Sequence, residues 1–321
     1  GGVVNRCPIT YELCGESLYS SAGLRALSPN LEALHDFPYE AAHQRREAVV
    51  RAAKMSIQGV QPKLSVRLNA KAGLFEIVDR GGRYVVKPPH AVFPALPENE
   101  GLTLQLARLG GIDVPLSGLV RCVDGTWSYF VRRFDRVGHN SKLPLEDFAQ
   151  LGGFSRDTKY NSSMEQLVKM LDVHCTFPAI EKVKLFKRSL FNFLVGNEDM
   201  HLKNFSLITR DGKIELAPAY DFLSSVVAYL AVGIKHADIE EVALTLKGKK
   251  RKLTRKDWID YFGADRLLLP PKIIDKVLHE LSEASTAWLS CVEASFLPAD
   301  QKELYTELLT ERFARLAIRL A

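Results

Sequence analysis

Two side chains in the segment GNEDMHLKNFSLI, residues 196–208, have the types and the spacing that phosphoryl transfer requires. Asp199 and Asn204 form a D-x-x-x-x-N arrangement, as in the catalytic loop of phosphoryl-transfer enzymes. In such a loop the aspartate orients the attacking hydroxyl and accepts its proton, and the carboxamide oxygen of the asparagine binds Mg²⁺. Because Mg²⁺ needs several oxygen ligands, we expect Asp221, in AYDFLS, to supply another.

Each of these residues also has an ordinary structural interpretation. An aspartate can cap a helix, His201 can be a satisfied core histidine, and Asp221 can belong to a turn. For any single residue that interpretation is favoured. Their order along the chain, in which a polar loop is followed by a strand, a turn, a second strand and then Asp221, favours a metal-dependent active site instead.

A kinase also needs cations and backbone N–H groups for the nucleotide phosphates. Lys87 ends the predicted strand RYVVK, where it can reach the α- and β-phosphates, although a single strand-end lysine is more often a solvated surface residue. The segment SIQGVQPK, residues 56–63, contains Gly59, which lets backbone N–H groups approach a polyphosphate. It is neither a G-x-G-x-x-G nor a Walker A sequence. Glu100 can pair with Lys87 across the sheet, or it can simply be favoured near a helix N-terminus.

The elements that must position these residues change in character along the chain. Alternating apolar residues and Gly or Pro turns predict a small antiparallel sheet with helices up to about residue 135. Apolar residues at helical spacing then predict helices, interrupted by one β-hairpin that turns at Asp211-Gly212. We therefore expect an α+β fold of two lobes with a cleft between them. The later helices are expected at residues 163–173, 178–195, 271–290 and 300–320.

The composition is that of an ordinary globular protein, with 46% apolar residues, 25% charged residues and a formal net charge of +5. That charge tolerates an anionic ligand without implying nucleic acid. No apolar run approaches the roughly 20 residues of a membrane helix. The five cysteines are scattered and odd in number, which favours free thiols of a reducing cytoplasm over disulfides. Cys7 and Cys14 with His35 and His43 match no usual zinc spacing. The basic run at 246–256 is interpreted first as a solvated loop and second as a site for an anionic partner.

Five segments together resemble the HipA-like serine/threonine kinases, the toxins of bacterial toxin–antitoxin systems. They are SIQGVQPKLS, VVKPP, VRRFDR, GNEDMHLKNFSL and APAYDF, in the order and spacing of that family from about residue 50 onwards. The resemblance implies a two-lobed protein-kinase-like fold similar to that of the phosphoinositide kinases, with ATP and Mg²⁺ as cofactors. It places the N-lobe at residues 1–131, and the hinge with the mainly helical C-lobe at 132–321.

The resemblance also implies roles for individual positions. Asp199 matches the catalytic base, Asn204 and Asp221 match the Mg²⁺ ligands, and Ser56 matches a loop serine that family members phosphorylate on themselves. Gln58 stands where some short members carry a second serine, so we expect Ser56 to be the one phosphosite of this loop. The positions that match ATP-binding residues are Gln58, Gly59, Val60, Gln61, Lys63, Lys87, Arg132, Arg133, Phe134, His201, Lys203 and Tyr220, and the backbone of 132–134 matches the hinge that holds adenine.

The biological role is likewise an implication of the resemblance. HipA has an additional N-terminal subdomain before the matched region, and this sequence offers no counterpart, so it is most similar to the short HipT form of three-component HipBST systems. HipT-type kinases also begin with a segment like CPITYELCGESL. We expect a cytoplasmic toxin that phosphorylates an aminoacyl-tRNA synthetase, of the tryptophanyl or glutamyl type, and causes growth arrest and persistence. Expected partners are a HipB-like DNA-binding antitoxin, through which DNA is contacted indirectly, and a small HipS-like protein.

Two other functions remain open at this level. A small-molecule or lipid kinase would use the same fold, although no membrane-binding surface is visible in the sequence. A nucleotide-binding pseudokinase could act as a corepressor with its antitoxin. The presence of Asp199, Asn204 and Asp221 opposes the pseudokinase, because all three are expected to serve catalysis.

Overall fold

The structure, a computed structural model, describes residues 2–55, 61–138 and 141–320, with the backbone alone for residues 52–55. Residues 56–60 of the expected nucleotide loop, which include Ser56, Gln58, Gly59 and Val60, lie outside the described residues. The loop is therefore described only from Gln61 onward.

A five-stranded antiparallel sheet forms the first part of the fold. Its strands are β1 (Leu64–Asn69), β2 (Leu74–Ile77), β3 (Tyr84–Lys87), β4 (Ser117–Arg121) and β5 (Trp127–Arg132), in the order β2-β1-β3-β5-β4. Because side chains of a strand alternate between its two faces, each strand offers every second residue to a core. Phe75, Tyr84 and Phe130 pack together on one face, and helices α1 (Ser21–Leu27) and α2 (Ala41–Met55) contribute to the same buried cluster.

Helix α3 (Leu96–Leu109) lies between this sheet and the helical part of the protein. Pro97 occupies its first turn, where the missing N–H removes no helical hydrogen bond. The helix contacts β4 and β5 on one side and helix α8 (Pro271–Ala294) on another. Its buried polar groups are paired: the Thr103 hydroxyl lies 2.7 Å from the phenol oxygen of Tyr305. Helix α3 therefore connects the packing of the two parts.

The second part is mainly helical, as the sequence predicts. Besides α8 it contains α4 (Phe148–Gly152), α5 (Met164–His174), α6 (Pro178–Val195), α7 (Ser225–Ala231) and α9 (Ala299–Arg315). The predictions for α5, α6 and α8 agree with the structure within a few residues, whereas the predicted helix 300–320 ends at Arg315. The π-helix Lys256–Arg266 and the short α7 were not predicted, because neither has a distinct apolar period in the sequence.

The hairpin predicted around Asp211-Gly212 is present. Strands β9 (Ser206–Arg210) and β10 (Lys213–Leu216) are antiparallel, and β8 (Leu145–Asp147) pairs with the other side of β9. Asp211 and Gly212 have φ of 52° and 73°, the left-handed conformation that a two-residue type I′ turn requires at both positions. A separate two-stranded ribbon pairs β6 (Arg136–Val137) with β7 (Ser141–Lys142). Leu216, at the end of β10, pairs with Leu207 near the start of β9. The hairpin therefore brings the segment that contains Asp221 back towards the start of β9.

The five cysteines are all free, and four of them are buried, with Cys14 partly exposed. Within the described residues, no group of three or more His, Cys, Asp or Glu side chains is placed to hold a metal ion. Among the same residues, none of the helices combines the length and the apolar character needed to cross a bilayer.

Candidate active site

A cleft of about 1600 Å³ opens between the five-stranded sheet and the sheet formed by β8, β9 and β10. The residues that the sequence analysis assigns to ATP or metal and that line this cleft are Gln61, Lys63, Lys87, Arg132, Arg133, Phe134, Lys203, Tyr220 and Asp221. Asp199, His201 and Asn204 do not line it; they lie in the loop that precedes β9. The structure therefore brings most of the predicted nucleotide residues to one cavity beside the predicted catalytic loop.

Lys87 joins the two parts of the fold at this cleft. Its Nζ lies 2.7 Å from Oε2 of Glu100 in α3 and 2.6 Å from Oδ1 of Asp221, which follows β10. The Lys87 side chain is 7% exposed and the Glu100 side chain is fully buried. The ring of Tyr129, opposite Lys87 on β5, lies 5.7 Å from the ammonium and provides a favourable aromatic face. The expected contact of Lys87 with Glu100 is present, and Asp221 extends it to a triad.

Desolvation opposes charge on all three side chains, although Asp221 is 45% exposed, and ion pairing outweighs it for Lys87 and Asp221 but not for Glu100. Desolvation alone would lower the pKa of Lys87, but Asp221 and Glu100 raise it well above its ordinary value. Desolvation works against the charged form of Asp221 as well, yet Lys87 holds the pKa of Asp221 below its usual range. The enclosed Glu100 has a raised pKa because its desolvation outweighs the attraction of Lys87. Lys87 is thus a fixed cation in the cleft.

The catalytic-loop segment begins where α6 ends at Gly196. That glycine has φ of 74°, a conformation that side chains with a Cβ rarely adopt. A Cβ there would also lie 2.5 Å from Cδ2 of Leu308 and 3.0 Å from Cβ of Val226. The Gly196 carbonyl accepts the backbone N–H of Val226 at 3.0 Å, which ties the loop to α7. The glycine therefore allows the loop to leave α6 in close contact with α7 and α9.

Two side chains of this loop form hydrogen bonds with the backbone of the same loop. His201 caps the 3₁₀ turn of residues 202–204 by accepting the backbone N–H of Lys203 on Nδ1, at 3.2 Å. Nδ2 of Asn204 donates to the backbone carbonyl of Asp199 at 2.7 Å. These two hydrogen bonds link the turn at residues 202–204 to Asp199, so both Asp199 and Asn204 are held within one loop.

Asn204 and Asp221 fit the donor set that Mg²⁺ would need. Because Asn204 uses Nδ2 for the Asp199 carbonyl, Oδ1 is the side-chain atom that would be left to bind a cation. Asp221 is 45% exposed and keeps a second oxygen beyond the one that contacts Lys87. Its φ of 55° is strained for a non-glycine residue, which is common at functional sites. One carboxylate and one amide oxygen suit a cation that retains several waters.

Asp199 is half-buried, and its carboxylate is contacted from outside the loop. The phenol O–H of Tyr160 donates to its Oδ1. Burial, with a smaller contribution from Asp221, raises the pKa of Asp199, while the hydrogen bond from Tyr160 and the charge of Lys159 oppose the increase. A carboxylate with a raised pKa accepts a proton more readily than an exposed aspartate, which suits a general base.

His201 is buried and uncharged at neutral pH. Desolvation and the nearby charge of Lys159 lower its pKa to about 4, although Asp221 acts in the opposite direction. Since Nδ1 of His201 already accepts a backbone hydrogen bond, the side chain is committed to the loop. This arrangement agrees with the prediction that His201 supports the loop, and the role of Asp199 as the proton acceptor stays a prediction.

The low pKa of His201 makes stability depend on pH in a defined window. An unfolded histidine has a pKa of about 6.5, and the folded value is about 4. The unfolded chain therefore binds the extra proton between these values, and stability is lost as the pH falls through them. We expect His201 to account for roughly 2–3 kcal/mol of the difference between urea unfolding at pH 7 and at pH 4.5.

Glutamine substitutions separate this contribution from general acid unfolding. His201→Gln should reduce the pH 7 to pH 4.5 difference, whereas His279→Gln, at a side chain that is 74% exposed, should leave it unchanged. An equal difference in wild type and His201→Gln would show that His201 is not a buried neutral group.

The expected hinge has two of its backbone N–H groups already engaged. The N–H of Arg132 donates to the Leu116 carbonyl at 2.8 Å, and that of Arg133 to the Arg83 carbonyl at 2.7 Å. The Arg132 guanidinium donates to the Tyr84 phenol and to carbonyls at the end of α1. Arg132 is thus chiefly a structural residue, and the sequence could not reveal this because its partners are distant in the chain.

Phe134 and Tyr220 form an aromatic wall on the C-terminal side of the cleft. Their ring centroids lie 5.8 Å apart. The Tyr220 phenol donates to the Lys203 carbonyl at 2.8 Å and lies 2.5 Å from the Ser206 hydroxyl. Tyr220 therefore connects the 3₁₀ turn of residues 202–204 to the cleft.

Tyr160 and Lys159 are the functional-site residues that sequence reasoning missed. They belong to the segment SRDTKYNSS, residues 155–163, which has neither an apolar period nor a recognisable catalytic spacing. Only the tertiary structure reveals them, through the Tyr160 hydrogen bond to Asp199 and the nearby charge of Lys159.

Comparison with known proteins identifies the family. A family model described as the HipA-like C-terminal domain matches residues 55–289. The chain belongs to the HipA-like C-terminal domain family. A Haemophilus influenzae protein named "Putative kinase" is 26% identical over 319 residues, which is 93% of this chain and 92% of that protein. The serine/threonine-protein kinase toxin HipA of Shewanella oneidensis is 29% identical over 191 residues, 53% of this chain and 43% of that protein.

A solved structure shows the same fold. It contains HipA of the Shewanella oneidensis toxin–antitoxin system in complex with HipB and operator DNA. Its superposition covers 97% of this chain and 77% of that chain, with a TM-score of 0.66 and 22% identity. This likeness confirms the predicted two-lobed, kinase-like α+β fold.

Proposed function

We propose that this chain is a Mg²⁺- and ATP-dependent serine/threonine protein kinase that acts as the toxin of a bacterial toxin–antitoxin system. The observation that carries the proposal is the contact of Lys87 with Glu100 and Asp221, which unites β3, α3 and the segment after β10 at one cleft. A strand lysine paired with a helix glutamate is the arrangement by which protein kinases hold ATP phosphates. The name of the Shewanella HipA relative supports a protein hydroxyl as the acceptor.

The cations of the cleft would bind the phosphates of ATP. Lys87 would contact the α- and β-phosphates, and Lys63 and Lys203 line the same cavity. Desolvation and the neighbouring cations lower the pKa of Lys63 against the attraction of Asp221. An anionic ligand would therefore stabilise the charged form of Lys63, and binding would relieve repulsion among these cations.

Transfer would occur beside the turn that carries Asp199. Its carboxylate would accept the proton of the acceptor hydroxyl as that oxygen attacks the γ-phosphorus and the bond to ADP breaks. Bound Mg²⁺ would neutralise the charge that develops on the phosphate oxygens. Asn204 and Asp221 would hold the metal, and His201 would keep the turn in place while remaining uncharged.

Adenine would lie against the hinge and the aromatic wall. Since the N–H groups of Arg132 and Arg133 are engaged, the Phe134 amide and the hinge carbonyls are the groups that would contact the base. The rings of Phe134 and Tyr220 offer apolar surface to it.

We place the boundary between the two lobes at residues 131 and 132, with the phosphate loop at 56–63 and the catalytic loop at 196–204.

Autophosphorylation of Ser56 is part of the proposal. Gln61 is the first residue of the loop that the structure describes, and its Nε2 lies 3.5 Å from Oε1 of Glu100. The loop therefore meets the cleft next to the Lys87 triad. A phosphate on Ser56 would bring a charge of about −1.5 to −2 towards the ATP phosphates. Repulsion would then reduce ATP binding, which would make the modification self-limiting.

The partners and the target are proposed from the relatives. HipB and operator DNA accompany HipA in the Shewanella structure, which supports a HipB-like antitoxin for this chain and only indirect contact with DNA. We assign the chain to the short HipT form, with a HipS-like third component. The proposed target is an aminoacyl-tRNA synthetase of the tryptophanyl or glutamyl type, in the cytoplasm.

Quantitative phosphoproteomics after brief expression in bacteria tests this function. One dominant new phosphoserine or phosphothreonine on a host protein, absent after expression of Asp199→Asn, is the expected result. Transfer from labelled ATP to metabolites without protein labelling would instead indicate a small-molecule kinase. ATP binding with no turnover would indicate a pseudokinase and would reject the proposal.

The metal assignment makes a separate prediction. Asn204→Ala removes one oxygen ligand, so we expect the Mg²⁺ concentration for half-maximal transfer to rise about tenfold or more. A Mg²⁺ titration of the initial rate at fixed ATP measures this. Asn30→Ala, at an exposed position that does not line the cleft, is the amide control and should keep the wild-type titration. An unchanged Mg²⁺ requirement in Asn204→Ala would remove Asn204 from the metal site.

A further inference from the structure

Tyr160 reaches the proposed base from a separate part of the chain. It lies in the segment 155–163 that precedes α5, and its phenol O–H donates to Oδ1 of Asp199. The mechanism above gives this side chain no role. A tyrosine that is 39% exposed could leave its hydroxyl in water, so its placement on a half-buried carboxylate needs an explanation.

The segment is held against the catalytic loop by its backbone as well. The backbone N–H of Leu202 donates to the Lys159 carbonyl at 3.2 Å. The rings of Tyr160 and His201 meet edge to face, with centroids 5.1 Å apart and an interplanar angle of 74°. His201 therefore contacts the turn that it caps on one side and the ring of Tyr160 on another.

The segment also begins with a local turn and is attached to another segment at its end. The Ser155 N–H donates to the Thr158 hydroxyl at 2.8 Å, and Ser163 caps α5 by accepting the N–H of Gln166. Ser163 also pairs with Thr245 in a β-bridge. A closed turn at its start, the hydrogen bond from Leu202 to Lys159 in its middle and the attachment of Ser163 at its end together hold the Tyr160 phenol near Asp199.

We propose that Tyr160 is a positioning residue of the catalytic centre: its phenol holds Oδ1 of Asp199 so that Oδ2 faces the acceptor hydroxyl. An aspartate carboxylate rotates easily about its last bond, so a donor at one oxygen selects one orientation. Since Tyr160 occupies only Oδ1 and Asp199 stays partly exposed, the second oxygen is left for the acceptor. This inference rests on the proposed kinase function.

The test compares Tyr160→Phe with Tyr261→Phe in the full chain. Phenylalanine keeps the ring that contacts His201 and removes only the hydroxyl. Tyr261→Phe is a matched control, because the Tyr261 phenol also donates to a carboxylate, Oε2 of Glu165, at 2.9 Å. The measurements are ADP release from Mg-ATP, which counts transfer to any acceptor, and the thermal unfolding midpoint.

We expect Tyr160→Phe to lower kcat roughly 10- to 100-fold, with the KM for ATP and the unfolding midpoint close to wild type. A purely structural role would lower the midpoint or alter KM as well. In an Asp199→Asn background, adding Tyr160→Phe should cause no further loss of kcat, because the carboxylate that Tyr160 orients is already absent.

The alternative outcomes are distinct. Equal kcat in wild type and Tyr160→Phe overturns the positioning role alone, as does an equal loss in Tyr261→Phe. A faster Tyr160→Phe would show that the phenol blocks the base, and would also overturn it. If wild type releases no more ADP than Asp199→Asn, the proposed kinase function fails and this inference fails with it.

Discussion

Asp199→Asn is expected to reduce phosphoryl transfer by about 10²- to 10⁴-fold while leaving the fold intact. An amide cannot accept the acceptor proton, yet it has nearly the same shape as the carboxylate and can still accept the Tyr160 hydrogen bond. The backbone carbonyl of residue 199, which accepts the hydrogen bond from Nδ2 of Asn204, is unchanged by the substitution. Transfer from γ-labelled ATP and growth of expressing cells measure the loss of activity and of toxicity.

Asp211→Asn is the matched control for this substitution. It makes the same chemical change at the exposed hairpin turn, where φ is 52° and asparagine is well tolerated. Activity and toxicity should remain at the wild-type level. Full transfer by Asp199→Asn would remove Asp199 from the role of base, and loss of transfer in both variants would show that the assay responds to damage elsewhere.

Lys87→Met is expected to have the largest effect on stability as well as to abolish ATP binding. Removing the ammonium leaves the fully buried Glu100 without its cation, and Asp221 also loses its partner. Breaking a buried ion pair from one side costs about 3–5 kcal/mol. Urea unfolding measures the loss of stability, and calorimetric titration with Mg-ATP measures the loss of binding.

A lysine that has similar geometry but an exposed partner provides the control. Nζ of Lys182 lies 2.7 Å from Oδ1 of Asp172, but the Asp172 side chain is 52% exposed. Because solvent can take over from the lost cation, Lys182→Met should cost less than about 1 kcal/mol. Equal costs for the two substitutions would contradict the buried character of the Lys87 triad.

The double variant Lys87→Met/Glu100→Gln separates stability from function. Neutralising Glu100 removes the unpaired buried charge, so most of the lost stability should return. ATP binding should not return, because the cation for the phosphates is still missing. Recovery of both would mean that Lys87 acts only through Glu100.

Local sequence patterns predicted much of the fold correctly. The type I′ turn at Asp211-Gly212 and helices α5, α6 and α8 depend on residues that are close in the chain, so their signals are readable in one dimension. The approach of Lys87 to Glu100 could be expected as well, since a strand and the next helix along the chain commonly pack together.

Local sequence patterns could not predict contacts between segments that are distant in the chain. The engagement of the Arg132 and Arg133 amides depends on Leu116 and Arg83. The π-helix 256–266 departs from the period that sequence reasoning uses. Helix α3 packs against both the sheet and α8, which its composition alone does not reveal.

The candidate site shows the same division. The residue types and the spacing of Asp199, Asn204 and Asp221 predict metal-dependent phosphoryl transfer, because that chemistry restricts which side chains can serve it. The contact of Asp221 with Lys87 and that of Tyr160 with Asp199 appear only in the tertiary structure. The physical reason is that hydrogen bonds and ion pairs act over about 3 Å of space, whatever the separation along the chain.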